Sequence, residues 1–365
     1  MLRFLRRLGL TLLVAVLALL VAFVSVRTVN TVRTRITADT GVQESTYVSL
    51  GGIDQFVTIR GEDVANPVVV YLHGGPGDSS HYLQYPVQGE LEDTHTWIRW
   101  DQRGTGRTYY ANPELSPADL SVDRMLADLD ELVDYARERF GQEKVVIVGH
   151  SWGTVLGTLY LQEHPEKVTE YVGVGQFVDT SEGAHLATTT AIERARAAGD
   201  NEDAAAMAAN LAELDEAAAA GGYGVAGWTT EFENRALSSA YLACEGEKGL
   251  AHGIATGLAS PTINLQDVRW FLSNDSIETV YGRQQPLLDT LASYDLRQAG
   301  LEFQVPVSYV GGSCDWVTPT PLAQAYAASL TAPSVDFHLI EDAGHVPSVD
   351  QPEAYVATLE TALAD

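Results

Sequence analysis

Apolar residues along this chain gather into short runs separated by longer stretches with a different spacing. Residues 68–72, 97–100, 145–148, 168–174, 305–310 and 335–340 are short, largely β-branched or aromatic runs, the length and composition of buried strands. Between them, apolar residues recur at helical intervals. The clearest case follows Ser121, a helix-capping residue type, with Val122, Leu126, Leu129, Val133 and Ala136 on one face before Phe140. Helices are also predicted over 154–164, ended by Pro165, and over 321–330 and 352–364. Residues 46–50 and 53–59 flank Gly51-Gly52, the signature of a β-hairpin. Strands alternating with helices predict an α/β fold, a mostly parallel sheet with helices on both faces.

Two stretches depart from that alternation. Residues 180–298 read as wholly helical, with a nearly low-complexity alanine run at 204–220 and aromatic patches at Trp228–Phe232 and Trp270-Phe271. They predict a helical cap inserted over the C-terminal edge of the sheet. Residues 8–26 are uncharged and almost wholly apolar, and Arg3, Arg6 and Arg7 precede them. At about 1.5 Å of rise per residue this run just crosses a hydrocarbon core of about 30 Å. A cleaved signal has an apolar part of roughly 7–15 residues ending in small residues. The end of this run, Ala22-Phe23-Val24-Ser25-Val26-Arg27, offers no such site. An uncleaved anchor with the body outside the cytoplasm is expected, and secretion after signal cleavage is the alternative. Residues 28–41 read as a polar linker. The organisation expected is therefore an anchor or signal segment and linker at 1–35, a first part of the core at 42–179, the cap at 180–298 and a second part of the core at 299–365.

Composition narrows the partners. Formal net charge is -27, and the six arginines before Asp39 stand apart from 16 Lys+Arg and 49 Asp+Glu in the body. So acidic a body repels phosphate backbones, which argues against nucleic acid. The plainer meaning of the charge is a highly soluble or salt-adapted surface. Cys244 and Cys314 have no metal-ligand spacing. A small buried thiol is expected at Cys314, with a single disulfide as the alternative in an exported domain. Oligomeric state is not legible.

The chemistry centres on Gly149-His150-Ser151-Trp152-Gly153, a G-x-S-x-G between the strand at 145–148 and the helix at 154–164. Glycines at both ends permit the sharp strand-to-helix turn that lifts a serine hydroxyl above the sheet. A serine nucleophile needs a base, itself oriented by an acid, in the chain order serine, acid, histidine. Asp315 follows the strand at 305–310, and His345 follows the strand at 335–340. Both should emerge at the sheet edge that carries Ser151, where open α/β sheets bind ligands. Asp342 and Asp350 are the alternative acids, and His338 and His150 the alternative bases. Position after a strand favours Asp315, while His338 lies inside a strand and His150 is held in the elbow. Oxyanion donors are expected from the backbone N–H of Trp152 and from Gly74 or Gly75, in the loop after the strand at 68–72.

His73-Gly74-Gly75-Pro76-Gly77, the stretch Asp101-Gln102-Arg103-Gly104-Thr105-Gly106-Arg107-Thr108 and the Ser-Trp-Gly elbow together resemble the prolyl aminopeptidase (proline iminopeptidase) family of α/β-hydrolases. The likeness covers roughly residues 47–178 and 305–365. It implies an α/β-hydrolase fold with a cap, release of an N-terminal residue, often proline, from a peptide, and no metal or organic cofactor. It also implies that Asp101 and Arg103 brace the site. In that family cap glutamates hold the substrate ammonium, one of them in a helix rich in tryptophan and glutamate. Here Trp228, Glu231 and Glu233 are the candidates, and a second glutamate motif is not recognisable. The expected function is a serine hydrolase of peptide N-termini. An esterase or other acyl hydrolase using the same triad is the alternative, and a noncatalytic binding module on the same fold is a third reading. Epoxide hydrolase and dehalogenase chemistry is disfavoured, because those elbows carry aspartate where this one carries Ser151.

Overall fold

The computed structural model describes residues 2–364, beginning with one long helix, α1 (Leu2–Arg33). Residues 28–33, expected as linker, continue this helix. Thr28 and Thr31 donate their hydroxyls to carbonyls one turn back, and the side chains of Arg27 and Asn30 donate to carbonyls of the cap. A polar composition was compatible with helix once those side chains had partners.

The hairpin follows as β1 (Val42–Leu50) and β2 (Ile53–Gly61). Gly51 and Gly52 have φ of 56° and 76°, the left-handed conformation that a tight hairpin turn requires. The remaining strands are β3 (Val68–Leu72), β4 (Thr96–Trp100), β5 (Val145–His150), β6 (Val168–Val174), β7 (Val307–Gly312) and β8 (Val335–Ile340). They form one eight-stranded sheet in the order β1-β2-β4-β3-β5-β6-β7-β8. β1–β2 and β2–β4 pair antiparallel, and every later pair is parallel. β7 begins two residues after the predicted start because Pro306 has no N–H to give to a ladder.

Both faces of the sheet are covered, which is why β3 is apolar at every position and β5 from Val145 to Val148. Val68, Val70 and Leu72 point into one core with Leu129, Leu132 and Val133 of α4 (Val122–Phe140). Val69 and Tyr71 point into the other, with Val87 and Leu91 of α2 (Tyr85–Thr94) and Tyr355 and Leu359 of α14 (Pro352–Ala362). The predicted cap on α4 is present: Ser121 Oγ accepts from the Arg124 N–H. The helix ends at Gly141, whose φ is 64°. Short α3 (Gly106–Ala111), α5 (Trp152–Glu163), α12 (Thr320–Ala328) and α13 (Pro347–Asp350) complete the layers.

Between β6 and β7 the chain is helical: α6 (Thr180–Ala198), α7 (Asn201–Ala219), α8 (Gly224–Leu242), α9 (Leu250–Ala259), α10 (Leu265–Ser273) and α11 (Ile277–Ala292). α6, α7 and α8 pack through small side chains, Ala187, Ala191, Ala195 and Ala204, around Met207 and Leu242. Of the alanine run at 204–220, Ala204 is buried with Met207, Leu211 and Leu214, while most of its other alanines face solvent. α11 is kinked at Gln284, two residues before Pro286, which cannot donate to the helical ladder.

Candidate active site

The turn between β5 and α5 is held in a conformation that only this spacing of glycines allows. Ser151 sits at φ 53° and ψ -120°, a strained conformation for a residue with a side chain. A Cβ on Gly149 would lie 2.6 Å from the Gly153 carbonyl oxygen, and one on Gly153 would lie 2.1 Å from that of Leu72. Three hydrogen bonds fix the turn: Ser151 N–H to the Val174 carbonyl at 3.0 Å, Thr154 Oγ1 to the Ser151 carbonyl at 2.6 Å, and Phe177 N–H to Thr154 Oγ1 at 3.0 Å.

Asp315 and His345 come to this edge on the loops after β7 and β8. His345 Nδ1 lies 2.9 Å from Asp315 Oδ2 and 3.3 Å from Thr318 Oγ1. Asp315 is buried, yet it accepts from the N–H groups of Val317 and Thr318 and from the Thr318 hydroxyl. Burial works against its charge. The neighbouring His345 charge and these hydrogen bonds outweigh that, and its pKa falls below the usual aspartate value. Ser151 and His345 share a cavity, and among the described residues no hydrogen bond joins the Ser151 hydroxyl to His345.

The alternative residues are occupied elsewhere. Asp342 Oδ1 accepts from the Gly246 N–H, and Asp350 accepts from Lys248 N–H and Gly344 N–H. His150 Nε2 lies 2.9 Å from the His345 carbonyl, which ties the elbow to the His345 loop. Burial, and then the nearby charge of His345, push the His150 pKa down to about 4. His338 lies within β8.

Gly74 passes close over the elbow: a Cβ there would lie 3.1 Å from Ser151 Cβ. Gly75 lines the cavity beside Ser151 and Trp152. Among the described residues the N–H groups of Gly74 and Gly75 make no hydrogen bond. Trp152 opens α5, so its N–H has no intrahelical acceptor. Gln102 clasps this arrangement. Its amide donates to the His73 carbonyl at 3.1 Å, its N–H donates to His73 Nε2 at 3.2 Å, and its Oε1 accepts from Trp152 Nε1 at 3.0 Å. Sequence reasoning singled out Asp101 and Arg103 in this stretch and missed Gln102. Asp101 accepts from Ser79 Oγ and Arg107 N–H, and Arg103 grips Asp128 with two donors.

The cap closes the cavity with Trp228, Glu231 and Asn234 of α8. Glu231 is buried; one carboxylate oxygen accepts from Arg235 and the other, Oε2, has no partner. Asn234 Oδ1 is a second buried acceptor without a partner, while its Nδ2 donates to Thr188. Trp228 is buried and lines the same cavity, with its Nε1 unpartnered. Glu233, two residues from Glu231 and thus on another helix face, is exposed and does not reach the cavity. Glu247 does reach it, from the segment after α8, and no motif in the sequence marked it. Cys244 and Cys314 form a disulfide, where a buried thiol was expected at Cys314. The bridge joins the end of α8 to the residue before Asp315, a pairing invisible at a sequence separation of 70 residues.

The profile of the alpha/beta hydrolase fold matches residues 67–352, well over half of the chain. The chain belongs to that family. It is 24% identical over 314 residues to the "Probable aminopeptidase YbaC" of Bacillus subtilis strain 168, covering 86% of this chain and 93% of that protein. It is 30% identical over 122 residues to a proline iminopeptidase of Lactobacillus helveticus, 33% of this chain and 40% of that one. A proline iminopeptidase-related protein of Thermus thermophilus has a similar solved structure, with TM-score 0.59, 21% identity, and coverage of 88% of this chain and 98% of that one.

Proposed function

We propose that this α/β hydrolase is a serine hydrolase that removes N-terminal residues from peptides, held at a membrane with its body outside the cytoplasm. The observation that carries the reading is the Asp315–His345 hydrogen bond, with His345 lining the same cavity as the strained Ser151. Ser151 Oγ attacks the carbonyl carbon of the N-terminal residue as His345 Nε2 takes its proton, and Asp315 holds the imidazole in the tautomer that can accept it. The N–H groups of Trp152 and of Gly74 or Gly75 receive the developing oxyanion. His345 then gives its proton to the leaving amine, and water releases the acyl group from Ser151 by the same steps. Closure of the Ser151–His345 gap on substrate binding is part of the proposal; such bonds are often long until substrate is bound.

Glu231 Oε2 and Asn234 Oδ1 support the peptidase reading over the esterase one. Two buried acceptors with nothing to accept suit a group made only of donors, and a free α-ammonium is such a group. The names of the similar proteins point the same way. The disulfide supports an oxidising compartment, and so an exported body. α1 is long and apolar enough to cross a bilayer, and its apolar window is unburied, which supports an anchor.

The test is turnover of aminoacyl arylamides and short-chain aryl esters by the full-length protein in detergent. The peptidase reading expects proline and other aminoacyl arylamides to be cleaved, Ser151→Ala to be inactive, and Glu231→Gln to raise KM for arylamides while leaving esters unaffected. Ester cleavage alone would give the alternative acyl hydrolase. Ligand binding with no turnover of either would give the noncatalytic module.

A further inference from the structure

Outside α1, eleven large hydrophobic residues are exposed among the described residues, and six of them fall within residues 250–272. The three most exposed, Leu265 at 86%, Leu250 at 71% and Leu272 at 65%, are all in this segment. α9 carries Leu250, Ile254 and Leu258 four residues apart along one exposed stripe, and Gly257 is its only buried residue. α10 adds Leu265, Val268 and Leu272 on one side, while Asp267 and Trp270 face the core. From Gly249 to Gln266 there is no Asp, Glu, Lys or Arg, in a chain of net charge -27. A helix this apolar is normally buried in a core or in lipid.

Its position decides between the two. Arg27 Nη2 donates to the carbonyls of Ile263 and Pro261, and Asn30 Nδ2 donates to that of Ala259. The junction between α9 and α10 is therefore fastened to α1 one residue beyond the end of the apolar run at Val26. Arg33 and Arg35 are exposed just past that level, and Arg269 is exposed on α10. An apolar, uncharged face pinned where a spanning helix leaves the hydrocarbon, with arginines around it, matches the profile of the lipid–water boundary.

We propose that the α9–α10 face of the cap lies in the outer surface of the bilayer, with Leu250, Ile254, Leu258, Leu265 and Leu272 among the lipid chains near the headgroups. This rests on the reading of α1 as a membrane anchor. The cap is then seated on the membrane and not merely tethered to it.

The test uses full-length protein in phosphatidylcholine/phosphatidylglycerol vesicles containing nitroxide-labelled lipid. An environment-sensitive fluorophore is placed on a single added cysteine, since both native cysteines are joined to each other. The positions are Val16→Cys in α1, Ile254→Cys, Leu265→Cys, and Glu138→Cys on α4 as an exposed comparator. The proposal expects blue-shifted emission and strong nitroxide quenching at 254 and 265, as at 16, and neither at 138. Quenching at 16 but not at 254 and 265 overturns it and leaves the anchor standing. Quenching at 254 and 265 but not at 16 overturns the anchor reading alone. A blue shift without quenching means that protein, such as a second copy, covers the face, and also overturns it. Leu250→Asp/Leu265→Asp/Leu272→Asp, on exposed positions and checked by thermal melting, is expected to abolish the quenching at 254 while that at 16 stays.

Discussion

Ser151 is held where a side chain is strained, and His345 is held by an aspartate buried beneath it. If these residues act as proposed, Ser151→Ala removes measurable arylamide turnover, and Asp315→Asn lowers kcat by about 10⁴-fold by stabilising the wrong imidazole tautomer. Matched single-turnover assays on the folded variants measure both. His150 makes a separate prediction about stability. Its folded-state pKa is depressed to about 4 by burial and by the His345 charge, whereas an unfolded histidine titrates near 6.5. Below about pH 6.5 the unfolded chain takes up a proton that the folded one refuses. Stability from this group is therefore fully present above that pH and is lost as pH falls toward 4, by up to about 3 kcal/mol. Buried His73, also depressed chiefly by burial, acts in the same direction. Thermal melts at pH 7 and pH 5 are expected to differ less for His150→Gln than for the wild type. An equal difference would mean that other groups carry the effect.

The cap helices are locked to the core by polar contacts at loops that form the site. Arg107 donates through Nε and Nη2 to both carboxylate oxygens of Asp267 on α10, and the pair is buried. Trp270 Nε1 donates to the Gly77 carbonyl, and Gln284 Nε2 donates to that of Gly104. The kink in α11 is what brings Gln284 to that carbonyl. Each contact joins a cap helix to one of the two stretches beside the elbow, residues 73–77 or 101–108. Arg107→Ala leaves the Asp267 carboxylate buried without its guanidinium partner, though still accepting from the Asn264 N–H, and is expected to cost about 3–5 kcal/mol. Asp267→Asn, which can still accept from Arg107, is expected to cost less. Chemical denaturation midpoints separate the two. Gly153→Ala, with its Cβ directed at the Leu72 carbonyl, should break the β5–α5 turn and give little folded protein.

At the scale of the whole molecule, the Cys244–Cys314 bridge closes a long loop that spans the second half of the cap and the return to the sheet. Cys244→Ser/Cys314→Ser is expected to lower stability by up to about 4 kcal/mol, measured as a shift in melting temperature, and reductant should do the same to the wild type only. The sequence alone determined the sheet's strands, the elbow and the order of serine, acid and histidine. Those depend on local matters: β-branched runs form strands, glycine permits left-handed turns, and a loop after a parallel strand emerges at one edge. It also marked 180–298 as helical and 8–26 as long enough to span a bilayer. Only the tertiary structure decided which residues of the cap meet the elbow. Glu231 and Glu233 are indistinguishable as letters, but two residues on a helix turn through about 200°, so one is buried at the cavity and the other faces solvent. The same holds for Gln102 and the two cysteines, whose partners lie tens of residues away along the chain, and for Glu247, which shares its cavity with residues from both parts of the core. Contacts of that kind are set by how the cap packs on the sheet, and no local pattern encodes that packing.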